Sequence, residues 1–319
     1  MEENRFQIVG NNVRPKYDEV SFDSEIIKGK PAIFSKIDWL SLVFVDKSFN
    51  DVFEFLQIND LIDVDEFFEE RYFQSYNFSD NLAFRFNNIF FCAMDVDKYS
   101  NLDVNTFFDL VYPRIKLDLS GQALDFLRGY YIDTLEYDPG YMEKRFTDPS
   151  IHEHFNSHIT RIDYAFDFLN YMPTILDDII EFVKSTKNDR DEYGVSFGRK
   201  GSYVKCSLKL FDQKTLYVGS PQSDKLLRVY DKKIQAKKST EVAELYETYE
   251  RPDSWIRFEL QLRNKFSHNF ALTGRSSEQV LKYIYDNYNF HFKGTPCGFW
   301  QQLWRWEEIP SIIQNQNFV

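Results

Sequence analysis

The run "LLRVYDKKIQ", residues 226–235, sets a phenol among cations: Tyr230 has Arg228 and Lys232 at alternate positions, with Lys225 and Lys233 nearby. In a β-strand, residues i, i+2 and i+4 share a face, so Arg228, Tyr230 and Lys232 are expected to project together. The same rule applied to "TRIDYAFDF" (160–168) groups Arg161, Asp163, Ala165 and Asp167 against Ile162, Tyr164, Phe166 and Phe168. In "WIRFELQLR" (255–263) it groups Arg257, Glu259, Gln261 and Arg263 against Ile256, Phe258, Leu260 and Leu262. Each segment thus has an apolar face and a face able to do chemistry.

If those faces share one sheet surface, they bring together carboxylates, a phenol, guanidinium groups and ammonium groups. Carboxylates with open positions suit Mg²⁺ or Mn²⁺, whose remaining ligands are water and phosphate oxygens. An ion of that kind polarises a phosphate and leaves the attack to another group. A tyrosine, with an ordinary pKa of about 10, becomes a better nucleophile where nearby cations favour the phenolate. Arg228 and Lys232 are therefore expected to assist Tyr230 in attacking a phosphodiester while they hold the phosphate. The plainer alternative is a set of ion pairs on the wet side of an antiparallel sheet.

The elements that must position these groups follow from periodicity. Strands are expected at 36–45, 82–96, 112–120, 159–171, 202–211, 215–220, 226–233 and 254–263, and helices at 49–58, within 120–129, over 174–187 and over 276–288. Ser276 and Gln279 form a capping box for the last helix. The loop-rich stretch 136–150, with two Asp-Pro turns, is the expected boundary. The division is an N-terminal extension (1–34), an α+β unit (35–135), a catalytic α+β unit (150–265) and a mainly helical tail (266–319).

Charge is segregated along the 319 residues. The formal net charge is -12, which by itself argues against a nucleic-acid partner. Yet residues 199–238 hold eleven cations against three carboxylates, a local excess of +8 that leaves -20 on the rest of the chain. Residues 51–80 hold nine carboxylates and one arginine. Such a field suits a polyanion-binding face on a self-repelling body, and the candidates for that face are Arg161, Lys205, Lys209, Ser220, Lys225, Lys233, Arg257 and Arg263. Three separated cysteines give neither a disulfide framework nor zinc spacing. No apolar run is long enough to span a bilayer and the polar start lacks a signal-peptide core, so a cytoplasmic protein with no membrane partner is expected. With 32 Phe and 20 Tyr, most aromatics are expected in the core and a minority as base-stacking platforms.

Three segments, "TRIDYAFD" (160–167), "YVGSPQSDKLLRVYDKK" (217–233) and "IRFELQLR" (256–263), resemble in order and spacing the replication-initiation-factor family of rolling-circle plasmid initiators and related relaxases of integrative conjugative elements. "KIDWLSLVF" (36–44) and "DLSGQALDF" (118–126) resemble its N-terminal signatures, so the likeness spans about residues 35–265. The resemblance implies an α+β fold, a curved antiparallel sheet backed by helices in two similar units with a helical C-terminal tail. It implies that Tyr230 nicks one DNA strand, keeping the 5′ phosphate and freeing a 3′ hydroxyl, and that Asp163, Asp167 and Glu259 hold the metal. Its expected partners are single-stranded or hairpin origin DNA, a host helicase and a second copy of the chain. The tail after 265, including "FWQQLWRW" (299–306), matches no signature. Another nicking superfamily pairs two histidines with Tyr-x-x-Lys; His152 and His154 with Tyr230 and Lys233 have that spacing, but Glu153 intervenes where an apolar residue is usual. The same residues also suit a DNA-binding module without turnover, or a phosphoesterase that needs the carboxylates but not the tyrosine.

Overall fold

The computed structural model describes residues 6–9, 12–15, 32–61, 82–94, 104–138, 140–170, 176–177, 180–181, 193–197, 202–209, 215–220, 222–236 and 254–292. Its elements in chain order begin with β1 (Phe6–Val9) and β2 (Asn12–Pro15), which pair with each other. Then come β3 (Ala32–Lys47), α1 (Phe49–Leu56), β4 (Leu82–Phe86), β5 (Ile89–Met94), α2 (Val104–Asp109), β6 (Tyr112–Ser120) and α3 (Gly121–Asp133). The short helices α4 (Tyr141–Thr147) and α5 (Pro149–His154) lead into β7 (Ser157–Leu169), β8 (Tyr193–Phe197), β9 (Ser202–Lys209), β10 (Thr215–Val218) and β11 (Lys225–Asp231). The chain continues through α6 (Lys232–Ala236), β12 (Trp255–Arg263), α7 (Asn264–Ala271) and α8 (Ser277–Phe292).

Local chemistry explains the boundaries. Ser48 and Asp51 cap α1 reciprocally, with the Ser48 amide donating to the Asp51 carboxylate at 2.7 Å and the Asp51 amide to the Ser48 hydroxyl at 3.1 Å. The box expected from Ser276 and Gln279 is present, at 3.0 and 3.3 Å. Asn87 and Asn88, both at positive φ (46° and 64°), make the two-residue turn between β4 and β5 that matches strand twist. Gly219, at φ +108°, starts the turn from β10 to β11, where a Cβ would lie 3.0 Å from the Lys225 carbonyl.

Ten strands form one open antiparallel sheet in the order β4-β5-β6-β3-β7-β12-β11-β10-β9-β8. The expected α+β class is observed, with both halves of the chain joined in a single sheet across β3 and β7. Alternation in β7 and β12 buries Ile162, Tyr164, Phe166, Phe168, Phe258, Leu260 and Leu262 in one core, together with the apolar residues of α1, α3 and α7. The opposite parity carries the polar residues. α3 follows β6 without a break and α7 follows β12 likewise; α7 docks on β7, where Ser267 donates to the Ile159 carbonyl (3.2 Å) and the Ile159 amide donates to His268 Nδ1 (3.2 Å).

Three expectations change. The stretch 136–150 contains α4 and the start of α5, because Gly140 and the Asp148 side chain provide helix starts. β11 ends at Asp231, whose carboxylate accepts from the Ile234 amide (3.2 Å) and turns the chain into α6, so Lys232 is the first helical residue although it stays within electrostatic reach of Asp38, Asp167 and Arg257. α3, capped by Ser120, begins at Gly121 and runs on to Asp133, past the helix expected within 120–129. Of the helix expected over 174–187, Leu176, Asp177, Ile180 and Glu181 are described and helical. The acidic run beyond residue 61 and the segment 299–306 lie outside the described residues, as do the side chains of Lys205 and Lys209 on β9. No helix among the described residues is long and apolar enough to cross a membrane.

Candidate active site

The registers place the three chemical strands side by side. Arg228 on β11 is opposite Glu259 on β12, which is opposite Ala165 on β7; Tyr230 is opposite Arg257, which is opposite Asp167; Gln261 is opposite Asp163. The polar faces inferred from alternation therefore form one surface at the middle of the sheet.

Two clusters occupy it. In the first, the Tyr230 hydroxyl donates to Glu259 Oε2 at 3.1 Å, and Arg228 Nη2 is paired with Glu259 Oε1 while standing 3.6 Å from Asp163 Oδ2. Asp163 also accepts from Arg161 Nε (3.0 Å), Arg161 Nη2 (2.5 Å) and Gln261 Nε2 (3.1 Å). Asp163 and Glu259 are 0% and 2% exposed, so both depend on these partners. Among the described residues, Arg228 Nε is buried with no hydrogen-bond acceptor, the kind of orphan donor that calls for an explanation.

In the second cluster Arg257 grips Asp167 through Nε (2.7 Å) and Nη2 (2.6 Å) and reaches Asp38 through Nη1 (3.1 Å). The Trp255 indole also donates to Asp167 (2.8 Å). From Asp38 the pairing continues to Lys36 (3.5 Å), Asp125 (3.1 Å), Arg128 (2.7 Å) and Glu143 (2.7 Å). Burial opposes ionisation of Asp38, but Arg257, Lys36 and Lys232 hold its carboxyl well below the usual range.

These surroundings alter the expected state of Tyr230. Burial pushes its phenol up to about 12, and the lowering pull of Arg257 and Arg228 is offset by Asp38 and Asp167. The expectation that cations dominate is corrected: every cation close to the phenol has its own carboxylate, so desolvation wins. Lys232 moves to about 8, by burial first and by repulsion from Arg257, against the pull of Asp167 and Asp38.

The carboxylates are not equivalent as metal ligands. Asp163 and Glu259 converge on the Arg228 guanidinium, whereas Asp167 faces Arg257 and Trp255. Among the described residues no group of three His, Cys, Asp or Glu side chains comes together for a metal. A hard divalent ion would find two carboxylates here, and water and phosphate oxygens would have to complete its shell.

The residues selected for the basic face divide. Arg161, Arg257 and Arg263 share the polar face with the carboxylates, and Ser220 is exposed at the β10–β11 turn. Lys233 is half-buried in α6. Lys225 has the parity of Leu227 and lies over the Phe266 ring on the helix side, 4.0 Å from its centroid. His152 is held at both ring nitrogens, by Ser157 Oγ (2.9 Å) and the Phe146 carbonyl (2.8 Å), inside a helix rather than a loop, so it is a core residue and not half of a metal pair. Alternation within single strands did not reveal Asp38, although "KID" at 36–38 repeats "RID" at 161–163.

Residues 157–310 match the family described as replication initiation factor. No curated protein matches the chain. Among solved structures, a rolling circle replication initiator protein from Geobacillus stearothermophilus is 18% identical, with 80% of this chain and 85% of that chain covered at a TM-score of 0.49.

Proposed function

With residues 157–310 carrying the replication initiation factor pattern, we propose that this chain is a rolling-circle replication initiator that nicks one strand of origin DNA through Tyr230. The observation that carries the reading is the contact of the Tyr230 hydroxyl with Glu259, beside an Arg228 whose Nε has no acceptor among the described residues. A phosphate oxygen entering above Arg228 satisfies that donor, and the phenol lies next to it. The phenolic oxygen forms a bond to phosphorus, the bond to the 3′ oxygen breaks, and the products are a 5′-phosphotyrosyl link and a free 3′ hydroxyl. Glu259 Oε2 orients the phenol for that attack. Arg228 and Arg161 neutralise charge on the phosphate, where preorganised cations in a buried site act most strongly.

Asp163 and Glu259 would hold a Mg²⁺ or Mn²⁺ ion, with Arg228 shifting from between them onto the phosphate. The chemistry such an ion supplies is polarisation of the phosphoryl oxygens. Arg257 keeps Asp167 and Asp38 neutralised, a supporting role. The same reading takes single-stranded or hairpin origin DNA as substrate, with a host helicase and a second copy of the chain as partners. Binding to DNA weakens steeply with salt, because phosphate contacts release counterions.

The test is to incubate the protein with Mn²⁺ or Mg²⁺ and labelled single-stranded oligonucleotides from the DNA around its gene, then to look for a protein-linked 5′ fragment on a denaturing gel. An adduct that disappears in Tyr230→Phe and with chelator supports the reading. Free cleavage products that persist in Tyr230→Phe identify a hydrolase, and salt-sensitive binding with no cleavage identifies a binding module without turnover.

A further inference from the structure

We propose that a cleft beside the candidate active site, where β6, β3, β7 and β12 meet, is a stacking subsite for one nucleotide of the bound single strand; this rests on the strand-nicking reading above. The cleft has a volume of about 210 Å³ and is lined by Trp39, Lys116, Asp118, Thr160, Arg161 and Arg263 among others. That is too small for a drug-sized ligand, whose pockets run about 300–1,000 Å³, and it is the scale of one planar group.

The walls suit such a group. The Trp39 indole is pinned by its Nε1–H donating to Ser41 Oγ (2.9 Å), and Ser41 in turn donates to Asp118 (2.5 Å). The Arg161 guanidinium stacks over the Trp39 ring, 4.5 Å from its centroid. Aromatic rings and guanidinium planes are the surfaces on which single-stranded bases stack. Lys116, half-exposed and paired with Asp118 at 2.6 Å, and Arg263, whose Nη2 donates to Gln261 (2.5 Å), add positive charge at the rim. Three cations against two carboxylates, Asp118 and Asp163, leave a net positive charge that favours a phosphate-bearing occupant over a neutral one.

The cleft is also wired to the site. Arg161 pairs with Asp163, and Gln261 bridges Arg263 to Asp163. Along β12, Arg263 is four residues from Glu259, or about 13 Å, so a strand anchored at the phosphate near Tyr230 reaches the cleft within a few nucleotides. A base on the Trp39–Arg161 stack would fix the strand's register at the scissile phosphate.

The probe is a fluorescein-labelled twelve-nucleotide oligothymidylate that carries no nick site, its binding measured by anisotropy at low salt. Trp39→Ala is expected to weaken binding about 5- to 100-fold, the range for loss of one stacked base, while Trp39→Phe stays within about threefold of wild type and both melt like wild type. A 5-iodouracil version of the probe, irradiated on the full wild-type chain, is expected to crosslink to the peptide containing Trp39. Wild-type affinity in Trp39→Ala, or crosslinks that all map elsewhere, overturns the subsite. Displacement of the probe by an equimolar polyglutamate peptide also overturns it, in favour of an acidic-peptide site. Should Trp39→Ala fail to fold, the wild-type crosslink decides alone. No cleavage is involved, so absence of a Tyr230 adduct would sink the nicking reading and leave this result standing, and the reverse holds equally.

Discussion

On the flank built by β6 and β5, the polar side carries Lys116, Cys92 and Met94; on the flank built by β12 and β11, the corresponding positions carry Glu259, Arg228 and Tyr230. The correspondence follows from the register. β6 and β12 each run directly into a helix, so Lys116 and Glu259 both stand five residues before the helix start. Cys92 then pairs with Lys116 as Arg228 pairs with Glu259, and Met94 pairs with Arg114 as Tyr230 pairs with Arg257. The strand leading each half even opens its motif alike, as Lys36-Ile37-Asp38 and Arg161-Ile162-Asp163. One backbone plan therefore supports two surfaces: on one side a carboxylate, a guanidinium and a phenol in contact, on the other a cation where the carboxylate would be and a thioether where the phenol would be. The fold supplies the same platform twice, and three side chains distinguish the two flanks.

The largest expected effect comes from removing the asymmetry at its centre. Tyr230→Phe should abolish the covalent adduct while unfolding within about 1 kcal/mol of wild type, since only the hydroxyl's bond to Glu259 is lost; gel assay and denaturant melts check both. Asp163→Asn or Glu259→Gln should lower the cleavage rate by about 10² or more, the size of effect seen when one electrostatic group in a catalytic site is removed, measured as single-turnover rates. Arg257→Ala should destabilise the fold by about 3–5 kcal/mol, because it strands Asp167 and Asp38 without their partner. The cation at the equivalent position, Arg114, is exposed, and Arg114→Ala should cost about 1 kcal/mol or less.

Lys232 gives a smaller, signed effect. Its folded-state value of about 8 lies below the ordinary 10.5, so between those values the unfolded chain binds the proton that the folded chain has shed, and stability rises with pH across that window. Below about 8 the charged ammonium is carried in both states and the penalty is constant. The stability difference between wild type and Lys232→Met, followed by denaturant melts from pH 7.5 to 10.5, should therefore move in favour of wild type as pH rises. The smallest expected effect is none: Met94→Tyr in a Tyr230→Phe background should form no adduct, since Lys116 stands where a carboxylate is needed. An adduct there would erase the difference between the flanks.

Much of this was legible in single strands. Alternation holds from Arg161 to Phe168 in β7, from Leu227 to Tyr230 in β11 and from Ile256 to Arg263 in β12, so the shared face of Arg161, Asp163, Asp167, Arg228, Tyr230, Arg257 and Glu259 could be read from parity alone. Partner choice could not. Asp38 falls at a register shift between Ile37 and Trp39, which turns its carboxylate toward Arg257, and a bulge breaks the alternation that would have placed it. The strand expected to residue 233 stops two residues earlier because Asp231 caps a helix that starts at Lys232. Lys225 has the charge expected of a polyanion-binding face but the parity of the core face, and parity decided. The phenol's environment depended on which carboxylate each arginine meets, a tertiary fact that summed charge along the chain does not contain.

The most direct measurement is to trap the covalent complex of the wild-type chain with a nick-site oligonucleotide and Mn²⁺, digest it with protease, and locate the nucleotide-bearing peptide by mass spectrometry. The account predicts a 5′-phosphate linked to Tyr230, with no modified residue from β5 or β6. A nucleotide attached to any other residue, or to a peptide of the N-terminal flank, would contradict it.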